Sequence, residues 1–187
     1  MSMNTREAIL NAATRSAQAH GYGGLNFRDL AKEVGIKAAS IHYYFPSKAD
    51  LGAAVARRYR ENAATALEAL SDETPDPIAC LRCYPDTFRT ALENDNRMCL
   101  GSFMAAEYDD LPDAVAKEVQ AFADVNIAWI GRQLSAASLI AAEGCERRAQ
   151  AIFAAICGAQ LLARSRSDIS IYDSAIGSYR EAGLLPG

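Results

Sequence analysis

Between Asn26 and Leu51 the chain reads NFRDLAKEVGIKAASIHYYFPSKADL, and few folds accept residues in that order. Asn26 is a helix-capping residue, and Leu30, Ala31 and Val34 behind it fall on one apolar helical face. Gly35 permits a tight turn, with Ile36 as a plug for the core beneath it. A second short helix follows, carrying polar and aromatic side chains. Ser47 then caps a longer helix whose apolar face is Leu51, Val55 and Tyr59. Two short helices joined this closely can present the second to the major groove of B-DNA, which is wide enough to admit a helix.

Charge supports that reading once it is divided along the chain. The 187 residues carry a net charge of −4, which argues against a nucleic-acid partner only if it is evenly spread. Residues 1–60 hold nine Lys or Arg against four acids, a balance of +5, and the remaining residues hold ten against nineteen, a balance of −9. A basic head on an acidic body is the electrostatic footprint of a protein that meets phosphate with one end. No signal peptide is expected, because Arg6 and Glu7 arrive without an apolar stretch around them. The longest apolar run near the C-terminus, Ala151 to Ala159, is too short for a bilayer. A soluble cytoplasmic protein is expected, with its five cysteines reduced rather than paired.

Helical period dominates throughout and no alternating strand pattern is sustained, so the expected class is all-α with about nine helices. The first helix is expected over about Thr5–His20, ended by Gly21, Gly23 and Gly24. Ser71 to Pro77, SDETPDP, is the clearest interruption, because Pro75 and Pro77 break helix. Beyond it five helices are expected, over about Ile78–Glu93, Cys99–Tyr108, Asp113–Ala142, Cys145–Ser165 and Ile169–Ala182. The chain therefore divides into a helix-turn-helix domain over residues 1–50, a connecting helix to about residue 70, and a second domain over residues 71–187.

Within the second short helix, Lys37, Ala38, Ala39 and Ser40 form the first turn. Small side chains there allow close approach to base edges, Lys37 offers charge, and Ser40 and the tyrosine hydroxyls offer hydrogen bonds. Ile41 and Phe45, four apart, must point the other way. Lys48 opens the next helix, where the helix dipole disfavours it, but it joins unpaired N–H groups in a setting suited to phosphate. Arg57, Arg58 and Arg60 read as a solvated face.

Residues 5–60 resemble the N-terminal domain of TetR-family transcriptional repressors. Asn26 stands for that family's capping Thr, Leu30-Ala31 for its Ile-Ala, and Val34-Gly35-Ile36 for its Ala-Gly-Val. Phe45-Pro46-Ser47-Lys48 matches the closing segment directly. His42 departs from the family's usual Tyr; a histidine still donates to phosphate, and more strongly once protonated. The resemblance implies double-stranded, palindromic operator DNA as partner, contacted through Arg28, Lys37, Ala38, Ala39, Ser40, His42, Tyr43, Tyr44 and Lys48. It also implies a homodimer built on the last two helices, and a small-molecule effector that releases the protein from its operator.

For the dimer, the stripes Ala149, Ile152, Phe153, Ile156, Gln160 and Tyr172, Ala175, Ile176, Tyr179 are the candidate faces, with the subunit's own core as the competing destination. For the effector, the large or polar side chains Tyr84, Phe88, Phe103, Met104, Glu107, Phe122, Asn126, Trp129 and Gln160 are candidates. Cys99 joins them: it opens a helix beside Arg97, and its segment resembles a TetR subgroup that includes thiol-based sensors of electrophiles or oxidants. No metal or cofactor is expected, since His20 and His42 both lie in the head and cannot complete a zinc site with Cys80 and Cys83. Two other classes stay open. One is an enzyme with a cysteine nucleophile, disfavoured because the body has no histidine base. The other is a constitutive architectural DNA binder.

Overall fold

The structure is a computed structural model that describes residues 4–187. Among these residues there are ten α-helices and no strand. In chain order they are α1 (Thr5–His20), α2 (Phe27–Val34), α3 (Ala38–Tyr44), α4 (Lys48–Glu73) and α5 (Pro77–Cys83). These are followed by α6 (Asp86–Glu93), α7 (Leu100–Ala106), α8 (Asp113–Ala136), α9 (Ala142–Arg166) and α10 (Ile169–Glu181), with a 3-10 turn at Tyr108–Asp110. No described helix is long and apolar enough to cross a membrane.

The all-α expectation holds, and the boundaries that moved have local causes. The helix expected over Ile78–Glu93 is two helices, because Pro85 has no N–H to donate and its ring clashes with a carbonyl one turn back. α4 continues through Ser71, Asp72 and Glu73, so the break is shorter than SDETPDP suggests. Asp76 then caps α5 by accepting from the N–H groups of Ile78 and Ala79, and Pro77 occupies the first helical turn, where its missing donor costs nothing. The helix expected to reach Ala142 stops at Ala136, and Ser138 beyond it is left-handed at φ 52°. Glu143 and Gly144, expected as a break, lie in the first turn of α9.

Two compact units emerge. The first comprises residues up to Glu61 together with Leu100–Phe122. Its core is built from Ile9, Ala13 and Ala17 of α1, Leu30 and Ala31 of α2, Ile41 and Phe45 at α3, and Leu51 and Val55 of α4, joined by Leu100, Met104 and Val115. Polar ties brace it. Arg58 of α4 reaches Glu7 at 2.9 Å and Asn11 at 2.7 Å on α1. Arg57 and Arg60 both bind Glu118 of α8. Arg58 and Arg60 are therefore half-buried internal braces, which corrects the expectation of a solvated face for these two, while Arg57 is exposed as expected.

The second unit comprises Asn62–Cys99 and Ala123–Gly187, with α9 packed on α10 and α6. Here Ala149, Ile152, Ile156 and Gln160 of α9 are fully buried, and Tyr172 and Ile176 of α10 nearly so. Six of the nine stripe residues offered by periodicity as a dimer face thus belong to the subunit's own core, while Phe153, Ala175 and Tyr179 are half-buried. Helices α9 and α10 have enough apolar residues for two faces, and the i, i+3, i+4 rule selected the inner one.

Candidate nucleic-acid interface

Local sequence explains how α3 is set. Asn26 accepts hydrogen bonds from the N–H groups of Arg28 (2.8 Å) and Asp29 (3.3 Å), starting α2. Gly35 ends it in the left-handed region at φ 75°, ψ 33°, and the Ile36 N–H closes back on the Ala31 carbonyl at 2.9 Å. The turn aims α3 with Ile41 and Phe45 in the core and Ala39, His42 and Tyr43 in solvent. Tyr43 is 83% exposed, an unusual state for a large aromatic side chain. Tyr44 is half-buried and meets Tyr43 edge to face, at 5.1 Å between ring centroids.

Of the expected contact residues, Arg28, Ala38, His42 and Lys48 share one recess. Arg28 and Lys37 are exposed, while Ala38 and Ser40 are half-buried beside Ala39. A recess of about 450 Å³ is lined by Leu25, Asn26, Phe27, Arg28, Ala38, His42 and Lys48. The His42 ring tilts against Phe27 at 4.7 Å, and its Nδ1 lies 3.3 Å from the Pro46 carbonyl. With a proton on Nδ1 donated to that carbonyl, Nε2 of the neutral ring is an acceptor. Ser47 and Asp50 form a reciprocal cap at the start of α4: the Asp50 N–H donates to Ser47 Oγ at 3.1 Å and the Ser47 N–H to Asp50 Oδ2 at 3.0 Å. Lys48 is half-buried. Its ammonium donates to the Gly23 carbonyl at 3.2 Å and lies 4.7 Å over the Tyr22 ring, a tie that the sequence did not disclose.

The candidate effector residues distribute unevenly. Phe103, Met104, Glu107 and Phe122 belong to the first unit, and Tyr84, Phe88, Cys99, Asn126, Trp129 and Gln160 to the second. The latter six form a connected cluster. Tyr84 stacks on Trp129 at 5.5 Å and meets Phe88 edge to face at 5.7 Å, and its hydroxyl donates to Asn126 Oδ1 at 2.9 Å. Burial pushes the Tyr84 phenol well above the ordinary tyrosine value, so it remains a neutral donor. Gln160 accepts the Cys99 N–H at 2.9 Å and donates to the Phe88 carbonyl at 2.7 Å. Cys99 itself is 3% exposed, immediately ahead of α7. In the first unit Met104 is core, Phe122 packs against Tyr59, and the Glu107 carboxylate binds the turn after α1.

A helix-turn-helix with its second helix raised out of the core on a basic head defines a class: DNA-binding regulators. The profile of the family described as bacterial regulatory proteins, tetR family, matches residues 9–55. A TetR transcriptional regulator from Legionella pneumophila is 30% identical, with 97% of this chain and 99% of that one covered and a TM-score of 0.91. A TetR-family regulator from Agrobacterium tumefaciens is 27% identical over 95% and 96% of the two chains, at a TM-score of 0.87. NemR of E. coli in its reduced form, 21% identical over 95% and 96%, shares the fold at a TM-score of 0.83. No curated protein matches the chain. The chain belongs to the tetR family of transcriptional regulators.

Proposed function

We propose that the protein is a homodimeric, ligand-responsive repressor whose α3 helices enter successive major grooves of a palindromic operator. The observation that carries this reading is the division of α3 into a buried Ile41–Phe45 side and an outward side bearing Ala39, His42 and an 83% exposed Tyr43. Arg28, Lys37 and Lys48 flank that side with charge for the backbone, while Ala38, Ala39, Ser40, His42, Tyr43 and Tyr44 face the groove. Half-sites then lie roughly 34–36 Å apart, or a multiple of that.

A second chain is needed because one head buries too little DNA surface for tight specific binding. Support for where it docks comes from α9, whose outer face is Ala151, Ala154, Gly158, Leu161 and Leu162, all exposed. Small residues at i, i+3 and i+7 allow close helix packing, and the two leucines supply apolar area. α10 lies beside this helix. For the effector the reading rests on residue type, since the buried Tyr84, Phe88, Asn126 and Trp129 cluster combines aromatic rings with a few polar atoms. Binding there shifts the population toward a state whose heads no longer match the operator, and a preference of a few kcal/mol suffices.

Gel-shift titration with duplex from upstream of the protein's own gene tests the reading. The wild type retards it, and a Tyr43→Ala, Lys48→Ala double variant does not. Equal affinity in the two proteins would end the assignment of α3 as the reading helix.

A further inference from the structure

Glu107, the residue that follows α7, places both carboxylate oxygens on the turn between α1 and α2. Oε2 accepts the Tyr22 N–H at 2.7 Å and Oε1 the Gly23 N–H at 3.3 Å. Bonds from peptide N–H groups to an ionised carboxylate are among the stronger hydrogen bonds in proteins. The turn is shaped for this partner. Gly21 sits at φ +68°, and a Cβ there would lie 2.2 Å from Glu107 Oε2, so only glycine satisfies both the backbone and the space. The same turn is gripped by α4: Lys48 donates to the Gly23 carbonyl and covers the Tyr22 ring, which lies where a side chain on Gly52 would otherwise stand. Carboxylate, two peptides and ammonium form one continuous chain of contacts that ends in a residue of the DNA face.

We propose that Glu107 is a positioning residue for DNA binding: by fixing the Tyr22–Gly23 peptides it fixes the carbonyl and ring that hold Lys48, and so sets where that ammonium meets an operator phosphate. This rests on the reading of α3 and Lys48 given above. A lysine ammonium is a mobile charge on a long stem, and holding it in advance lowers the ordering cost of its contact with phosphate. The bond to Gly23 uses one of three N–H donors and leaves capacity for that contact. Both oxygens of Glu107 serve the turn, a role that its sequence position did not suggest.

The test is a double-mutant cycle of Glu107→Ala and Lys48→Ala, read as affinity for a duplex that the wild-type protein enriches from a random-sequence library, across a salt series. Glu107→Ala is expected to weaken binding about tenfold and to flatten the log affinity against log salt slope by about 0.9, the value of one lost phosphate contact. Lys48→Ala should do the same, and the double variant should be no weaker than either. Glu107→Gln keeps an acceptor oxygen for one N–H and should retain most of the affinity and slope. Amide exchange at Tyr22 and Gly23 should accelerate in Glu107→Ala and not in Lys48→Ala. Additive effects, or a wild-type slope in Glu107→Ala, would overturn the inference and leave the DNA-binding reading intact. Should Glu107→Ala fail to fold, the cycle with Glu107→Met, which keeps the side-chain length and has no acceptor oxygen, decides by the same criterion. A wild-type protein that enriches no duplex would instead remove the reading on which the inference rests.

Discussion

Arg60 Nε donates to Glu118 Oε2 at 3.0 Å, while Arg57 Nε donates to the other oxygen of the same carboxylate at 2.7 Å. Two residues three apart on α4 thus converge on one glutamate of α8, whose side chain is only 14% exposed. Desolvation by itself would raise the Glu118 carboxyl, but the hydrogen bonds and attraction of the two guanidiniums outweigh it and hold the group below the ordinary glutamate value.

A depressed folded value fixes the sign of the pH dependence. The stabilisation is complete above the unfolded glutamate pKa of about 4.3 and is lost as pH falls through the lower, folded value. Glu118→Gln should cost about 1–2 kcal/mol at neutral pH, discounted for the exposed Arg57 end. It should also lose less than the wild type between neutral pH and about pH 3. Urea midpoints across that range measure both quantities. Parallel curves for the two proteins would mean that the clamp carries no such charge.

Tyr43→Ala separates folding from DNA binding. The ring stands in solvent, so removing it should change unfolding free energy by no more than about 0.5 kcal/mol. Operator affinity should fall by about 1–3 kcal/mol, with loss of discrimination at the base step that it faces. Lys37→Ala should instead weaken binding to all sequences alike and reduce the salt slope by about 1. Anisotropy titrations on matched and mismatched duplexes distinguish the two behaviours. A thermal shift of many degrees in Tyr43→Ala would place that ring in the core.

Gly101 and Phe122 are a packing pair in the first unit. A Cβ on Gly101 would fall 2.3 Å from Phe122 Cδ1 and 2.9 Å from Cγ, with the ring itself buried. Alanine is worth about 1 kcal/mol more than glycine inside a helix, but α7 cannot collect it here without displacing a core aromatic. Overpacking, at about 1–3 kcal/mol, wins. Gly101→Ala should therefore lower the denaturation midpoint, and a raised midpoint would show that the ring moves aside freely.

What was legible in the sequence is what is encoded locally. Asn26, Gly35 and the Ile41–Phe45 spacing lie within a turn or two of the atoms they control, and the structure places them as read. Pro85 was missed, since proline inside a helical run either kinks or breaks it and the apolar pattern on both sides favoured one continuous helix. The Glu107 clasp was not legible: its partners are 84 and 85 residues away, and nothing in the neighbourhood of Glu107 identifies a turn between glycines as its target. Arg58 was hidden for the same reason, 51 residues from Glu7. The candidate effector residues were chosen for size, a property shared by ligand walls and by packed cores. Size therefore found buried residues, Tyr84 and Trp129 as much as Met104, without telling the two properties apart.

The outer face of α9 carries the last prediction. Leu161 and Leu162 are 56% and 49% exposed, and a Cβ built on Gly158 meets no atom within 4 Å. In an isolated chain these positions hold nothing together, so Leu161→Glu should leave the fold within about 0.5 kcal/mol of wild type. In a dimer packed on this face the same change buries a charge without a partner, which is prohibitive at a close helix contact. Sedimentation should find wild type dimeric and Leu161→Glu monomeric, with operator affinity falling in step because one head alone binds weakly. Ile152→Ala provides the contrast, since Ile152 is fully buried within the subunit. It should cost about 2–5 kcal/mol of folding stability by leaving a cavity, while the folded fraction still pairs. If Leu161→Glu remains dimeric at the wild-type dissociation constant, the partner does not dock on this face of α9.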